Sequence, residues 1–478
     1  MTGQDLASVV ESRPTTEAAS SWGAEAKSLF LLAWPLITAQ LAQNALFITD
    51  VIMTGWLGPN YLAAGTLATA FFNTFLIACV GLVSVVSPLV AQALGARDLR
   101  GVRRTVQMGF WVALCLGVIF VPLVWNARPI LLALGQADES TRLAEEFTQA
   151  AAWLFFPSLL MVVLRSFLSA HGATAAILVI TVVGVAVNAA LNYALMFGNW
   201  GFPRLELRGS GITTGSVNLL MFLMMLTYVL THKRYRRYGL LHRVWRPDWA
   251  RLGRILRIGT PIGLTLLSEV GLFSAAAVLM GLLGTNEVAA HAVALQFASM
   301  AFMVPLGLSQ ATTVRVGLAF GRHSREGIRM AGWTALGLTL MFMALTSFIF
   351  FTFPAVLVGF FLNPAEPVNT QALSLATGYL AVAALFQLVD GAQVSAAAAL
   401  RGLSDTRMPM ILALIGYWLI GLPTAYLCGF ILGWRGVGIW LGLAAGLAFV
   451  AVVLTLRFAR RDRLGLLPAP GGSASTVT

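Results

Sequence analysis

Twelve long apolar runs constrain this chain more than any other feature. They lie near 28–57, 62–90, 105–134, 144–170, 174–198, 211–232, 255–283, 287–314, 328–361, 370–400, 408–432 and 436–457. A helix needs about 20 such residues to cross a hydrocarbon core of about 30 Å. No water reaches backbone N–H and C=O groups inside that core, so each run must satisfy its own hydrogen bonds as a helix. The pattern therefore predicts an all-α polytopic membrane protein with twelve transmembrane helices. Composition agrees: 10% of the 478 residues are charged, against about 25% in a soluble domain. Residues 1–27 are polar and read as a disordered cytoplasmic tail. The run that follows exceeds the roughly 7–15 residues of a signal-peptide core and reads as a retained span.

The placement of basic residues sets the expected orientation. With both termini in the cytoplasm, Arg128, Arg142, Arg204, Arg208 and Arg435 fall outside, leaving 26 of the 31 Lys and Arg inside. That is the positive-inside bias of a multi-pass membrane protein. It explains the net charge of +12 as topology, so nucleic acid is not an expected partner. Neither lysine, Lys27 or Lys233, follows a glycine, which excludes a Walker A loop. Neither HExxH nor GxSxG occurs, and no enzymatic chemistry is expected. Cys79, Cys115 and Cys428 lie in apolar runs without metal-ligand spacing and read as buried packing residues. No cofactor is expected.

The chain also contains itself twice. An ungapped offset of 226 pairs Pro35 with Pro261, Gly55 with Gly281, Leu57-Gly58 with Leu283-Gly284, Asn60 with Asn286, Gly81-Leu82 with Gly307-Leu308 and Gly95 with Gly321. Leu- and Ala-rich helices do not hold proline, asparagine and several glycines in register by composition alone. The expected architecture is two six-helix pseudo-symmetric lobes, residues 28–232 and 255–461, joined by a basic cytoplasmic linker, 233–254. Residues 462–478 read as a flexible cytoplasmic tail. Transporters built from such repeats hold substrate between them near the bilayer midplane. Pro35 and Pro261 each remove a helical hydrogen bond and are candidate hinges.

Among the nineteen acidic residues, sixteen fall in tails, connections or helix ends. Asp50, Glu269 and Asp390 fall deep in spans, where an acid costs about 2.5–3.5 kcal/mol and marks an ion or proton pathway. The alternative is a protonated carboxyl bonded to a neighbouring helix. No Lys or Arg is expected comparably deep. Glu269 follows Arg257 by twelve residues and Asp390 precedes Arg401 by eleven, about 18 and 16 Å of helix. The two are thus expected at one height, in one cavity. Asp50 belongs to the first half, where Asn188 and Asn192, spaced i, i+4 on one helix face, complete a plausible cluster for a small cation or a proton. The repeat pairs Glu269 with Gln43 and Asp50 with Ala276, so the two lobes are expected to have unlike tasks.

Four stretches, TDVIMTGWLG, NAALNYALMFG, SEVGLFS and FQLVDGAQVSAAAALRGLSDT, together resemble the multidrug and toxic compound extrusion (MATE) family, NorM-type branch. The likeness covers almost the whole chain. It implies a cation-coupled antiporter, seated in the lipid bilayer, that exports small amphipathic cationic drugs through a V-shaped cavity between the lobes. By position it makes Asp50, Asn188 and Asn192 an N-lobe ion or substrate cluster, and Glu269 and Asp390 the C-lobe coupling acids. Some sodium-linked members carry a tyrosine one turn before the second of these acids. Phe386 stands there instead, which leaves the coupling ion open between H+ and Na+. A sodium ion would sit at Glu269 and Asp390, or at Asp50. A monomer is expected. The alternative function is a flippase for a lipid-linked precursor on a related two-lobe fold. It predicts a cavity lined with arginine, which the span interiors are read as lacking.

Overall fold

The computed structural model describes residues 21–361, 366 and 370–467; the outer parts of both expected tails lie outside these. Among the described residues twelve helices are long and apolar enough to cross a membrane. They are α1 (Trp22–Leu57), α2 (Pro59–Gly95), α3 (Leu99–Trp125), α4 (Asp138–Ala170), α5 (Thr174–Phe197) and α6 (Glu206–Thr231). The second half holds α7 (Trp249–Leu283), α8 (Thr285–Gly321), α9 (Arg325–Thr352), α10 (Thr370–Gly402), α11 (Arg407–Ile431) and α12 (Arg435–Ala459). The structure is all-α. Buried apolar side chains form two cores, one largely from α1–α6 and one from α7–α12.

The repeat is visible in backbone detail. Helices α2 and α8 are each 37 residues long. The glycines that separate them from α1 and α7, Gly58 and Gly284, sit at φ +126° and +142°. Side chains disfavour that region and glycine does not, so this corner is specified twice at the same offset. Both α1 and α7 run unbroken through Pro35 and Pro261, the residues read as candidate hinges.

The lobes meet where α8 packs on α1 and α2, and α7 packs on α2. Small residues permit this approach, as they do at other membrane helix contacts. A Cβ on Gly81 would fall 2.8 Å from the Cα of Gly263, and one on Gly307 2.7 Å from the Cα of Ile37. These are one contact repeated by pseudo-symmetry, since 226 residues separate Gly81 from Gly307 and Ile37 from Gly263. Nearer the basic connections, Gln92 donates from α2 to the carbonyl of Gly402 (2.8 Å) and to Ser404 Oγ (2.9 Å).

Two expectations about the connections are corrected. The polar N-terminus turns helical at Trp22, capped by Ser21, so the last residues of the expected tail belong to α1. Glu25, read as a tail residue, is 3% exposed and forms a two-pronged ion pair with Arg315 of α8, with Nε 2.9 Å from Oε1. It ties one lobe to the other. Removing one partner of such a buried pair strands the other charge, at a cost of about 3–5 kcal/mol. Glu25→Ala protein is therefore expected to melt well below wild type in detergent, and Glu25→Leu/Arg315→Met to recover much of the loss. Equal melting of the single variant and wild type would refute the latch.

The linker, too, is more ordered than a connector. Gln107 Nε2 of α3 donates to the carbonyls of Leu240 (2.9 Å) and His242 (2.8 Å), and Trp111 Nε1 to that of Val244 (2.8 Å). Tyr235, Tyr238 and Leu240 are buried, and α7 begins inside the expected linker, N-capped by Asp248. His171, between α4 and α5, bonds Tyr238 Oη through Nε2 and the Phe167 carbonyl through Nδ1, each at 2.8 Å. Burial pushes this imidazole down to about 4, so it is neutral near pH 7. All three cysteines are free; Cys115 is exposed, not buried as expected.

Candidate functional site

A cavity of about 860 Å³ lies between the lobes, lined by residues of α1, α2, α4 and α6 on one side and α7, α8, α10 and α11 on the other. Of the acids singled out in the sequence, Asp50 and Glu269 line it and Asp390 does not.

On the N-lobe side the spacing argument places its residues together. Asn192 Nδ2 donates to Asp50 Oδ1 at 2.5 Å and lies 3.4 Å from Asn188 Oδ1. Asn188 and Asn192 are fully buried. Thr214 Oγ1 on α6 completes the cluster, 3.5 Å from Asp50 Oδ2. Thr214 was missed: one hydroxyl among the three in GITTGSVN carries no signal until α6 is packed beside α1. Asn188 Nδ2 and Asn192 Oδ1 keep no partner among the described residues. The cluster thus holds the carboxylate with neutral donors and leaves oxygen free for a cation. Asn192→Leu removes the shortest of these bonds, and a hydrogen bond to a charged group contributes about 1.5–3 kcal/mol. Binding of a fluorescent cation to purified protein should weaken by about tenfold or more; unchanged affinity would remove the cluster from the site.

On the C-lobe side the expectation of a shared cavity needs amending. Glu269 faces the cavity, whereas Asp390 is 5% exposed and lies behind it, within electrostatic reach of Glu269. Gln393 stands beside Glu269 and donates to Tyr417 Oη at 2.7 Å. Asp390 Oδ1 and Gln393 Oε1 are buried and unbonded among the described residues. Two carboxyls, one with an orphaned oxygen, beside an orphaned amide oxygen are a donor set that suits a proton or a small hard cation. Phe386 supplies no third oxygen; it is buried, with its ring against Phe273 and Trp440. Beside this group α11 departs from α-helical pitch, with wider π turns at Ile415–Gly421 and Leu427–Ile431. Such turns often accompany functional sites. His291, inside α8, packs on Trp440 with neither ring nitrogen bonded among the described residues.

The span interiors do not lack arginine. Arg165, in α4, lines the cavity and donates to Gln40 Oε1 (2.5 Å) and Gln43 Oε1 (3.3 Å) of α1. Arg401, in α10, lines it too, within electrostatic reach of Glu269. The census by distance from span ends missed them because each is only a few residues inside its helix. The packing, not the chain position, turns them inward. The wall therefore carries ionisable groups of both kinds: the carboxyls of Asp50 and Glu269 and the guanidinium groups of Arg165 and Arg401.

The sequence profile of the MatE family matches residues 35–194 and 261–427, one block in each half of the repeat. The chain is 46% identical over 449 residues to a probable multidrug resistance protein NorM of Brucella suis, covering 94% of this chain and 95% of that protein. It is 40% identical over 456 residues to the protein of the same name in Pseudomonas aeruginosa, covering 95% and 93%. Its fold matches that of the eukaryotic MATE transporter AtDTX14 with a TM-score of 0.82 at 21% identity, over 93% of this chain and 100% of that one. Twelve spans in two repeated lobes, a cavity between them and relatives of this closeness agree: the chain belongs to the MatE family and, within it, to the NorM-type multidrug efflux transporters, which are membrane transporters and not enzymes.

Proposed function

We propose that this protein exports amphipathic cationic compounds by antiport, taking up H+ or Na+ in exchange. The observation that carries the reading is the position of Asp50 and Glu269 on opposite lobes, both facing one cavity between the repeats. A cationic drug held there meets a carboxylate from either side, in an environment where charges are weakly screened. The coupling ion neutralises Glu269 and Asp390, the drug can no longer share that charge, and occupancy by one drives out the other. Pro35 and Pro261, where the two lobes' first helices lack a hydrogen bond, are the positions at which those helices bend between states. We place the protein in the bacterial cytoplasmic membrane as a monomer with both termini inside. The test is efflux of a fluorescent cation from proteoliposomes, with a sodium gradient and a pH gradient imposed separately. The gradient that drives accumulation names the ion; failure of both to drive it would end the antiport reading.

Arg165 and Arg401 favour one second reading, the flippase. Arginine pairs with phosphate in a two-pronged geometry, and two on the cavity wall suit a lipid-linked phosphate. Translocation of a fluorescent lipid-linked phosphate in the same vesicles, lost in Arg165→Gln protein, would support it over drug export.

A further inference from the structure

A second, smaller recess lies away from the central cavity, against the linker. It has a volume of about 220 Å³ and is lined by Phe110, Trp111 and Leu114 of α3, Leu160 of α4, Phe222 and Leu226 of α6, and Leu241, Val244 and Trp245 of the linker turn. The lining is wholly apolar, and its lip is built: the three bonds from Gln107 and Trp111 hold the turn's carbonyls against α3. Arg243 occupies the left-handed region at φ +58°, a conformation that costs an ordinary residue free energy. The turn presents Trp245 outward, 83% exposed. Arg243 and Arg246 flank that tryptophan, both exposed, and neither side chain has an acidic or hydrogen-bonding partner among the described residues. The one acid of the linker, Asp248, is already shared by Arg104 (3.1 Å) and Arg251 (3.2 Å). Lys233, Arg234, Arg236 and Arg237 extend the same exposed basic rim.

We propose that this recess binds one anionic phospholipid, its acyl chain along Phe110, Leu114 and Phe222 and its phosphate between Arg243 and Arg246. Topology explains why the linker is basic, and tryptophan is common at a membrane interface. Neither explains an apolar cleft pinned open beside two uncompensated guanidinium groups. That combination matches a molecule with one apolar chain and one anionic head, and the charge selects phosphatidylglycerol over phosphatidylcholine. The site shares no residue with the central cavity, so it stands or falls apart from the proposed antiport.

The test uses the full chain in detergent, mixed with phosphatidylglycerol and phosphatidylcholine of equal chain length, with bound lipid counted by native mass spectrometry. Wild type should retain one phosphatidylglycerol in preference to phosphatidylcholine. Each basic residue near an anionic headgroup contributes about fivefold, so Arg243→Asn/Arg246→Gln should reduce that preference about twenty-five-fold; asparagine tolerates the left-handed turn. Leu114→Trp, which fills the recess, should lower retention of both lipids, and excess glycerol phosphate should displace neither. Unchanged melting and cation binding identify variants that remain folded. Equal retention of the two lipids by wild type, a preference that survives the double variant, or displacement by glycerol phosphate would overturn the proposal.

Discussion

Proteoliposomes carrying the Glu269→Gln/Asp390→Asn variant are expected to show no concentrative drug export under either ion gradient. Each net charge carried inward down 100 mV makes available about 2.3 kcal/mol, an accumulation ratio of roughly fifty. Without a carboxyl that can load an ion on one side and unload it on the other, that ratio falls to one, and only downhill leakage remains. The geometry separates the two single variants. Glu269 lines the cavity, so Glu269→Gln should weaken drug binding as well as coupling. Asp390 lies behind the wall with Oδ1 unbonded. A bare carboxylate there costs several kcal/mol, so its charge is tolerated only with a cation. Asp390→Asn should therefore abolish coupling with a far smaller change in drug affinity. Binding of the cation by purified protein, which Asp50 still supports, distinguishes lost coupling from lost folding. Normal export by the double variant would sink the assignment of these acids.

How far the site was legible in sequence depended on whether its residues shared a helix. Asn188 and Asn192 are one turn apart, so the periodicity of a single helix put them on one face, and the Asn192 hydrogen bond joins Asp50, grouped with them in the sequence, to that face. The 226-residue offset was equally readable, because glycine and proline positions report backbone geometry directly, as Gly58 and Gly284 do. Contacts between helices were not readable. Glu25 sits in a stretch whose composition looks disordered, and its partner Arg315 comes from 290 residues away. Depth along a helix put Glu269 and Asp390 at one height, but depth carries no azimuth. Only one of them turns toward the cavity. Arg165 and Arg401 reveal the same gap from the other side, since a residue near a span end can still point inward when its helix is packed on all sides.

Replacing Gly321 by valine is expected to prevent closure of the lobes at their basic ends, and with it export. A Cβ at Gly321 would fall on the carbonyl oxygen of Gln92, and one at Gly95 on that of Leu318. The obstacle is backbone within a helix, which cannot rotate away as a side chain can, so α2 and α8 must separate. Overpacking a core costs about 1–3 kcal/mol even where side chains can adjust. At about 3 kcal/mol a two-state equilibrium moves more than a hundredfold, enough to empty the closed state. Gly95 and Gly321 are repeat mates, so Gly95→Val should have the same effect from the opposite lobe. Gly281→Ala, where nothing lies within 4 Å, should have none. The readout is labelling of Ser87→Cys, on the cavity wall, by a membrane-impermeant maleimide applied from the linker side in a cysteine-free background. Labelling should rise in both valine variants while cation binding persists, because the cavity itself is left intact. Wild-type export together with unchanged labelling in Gly321→Val would mean that the glycine crossing is not the gate, and that the lobes close elsewhere.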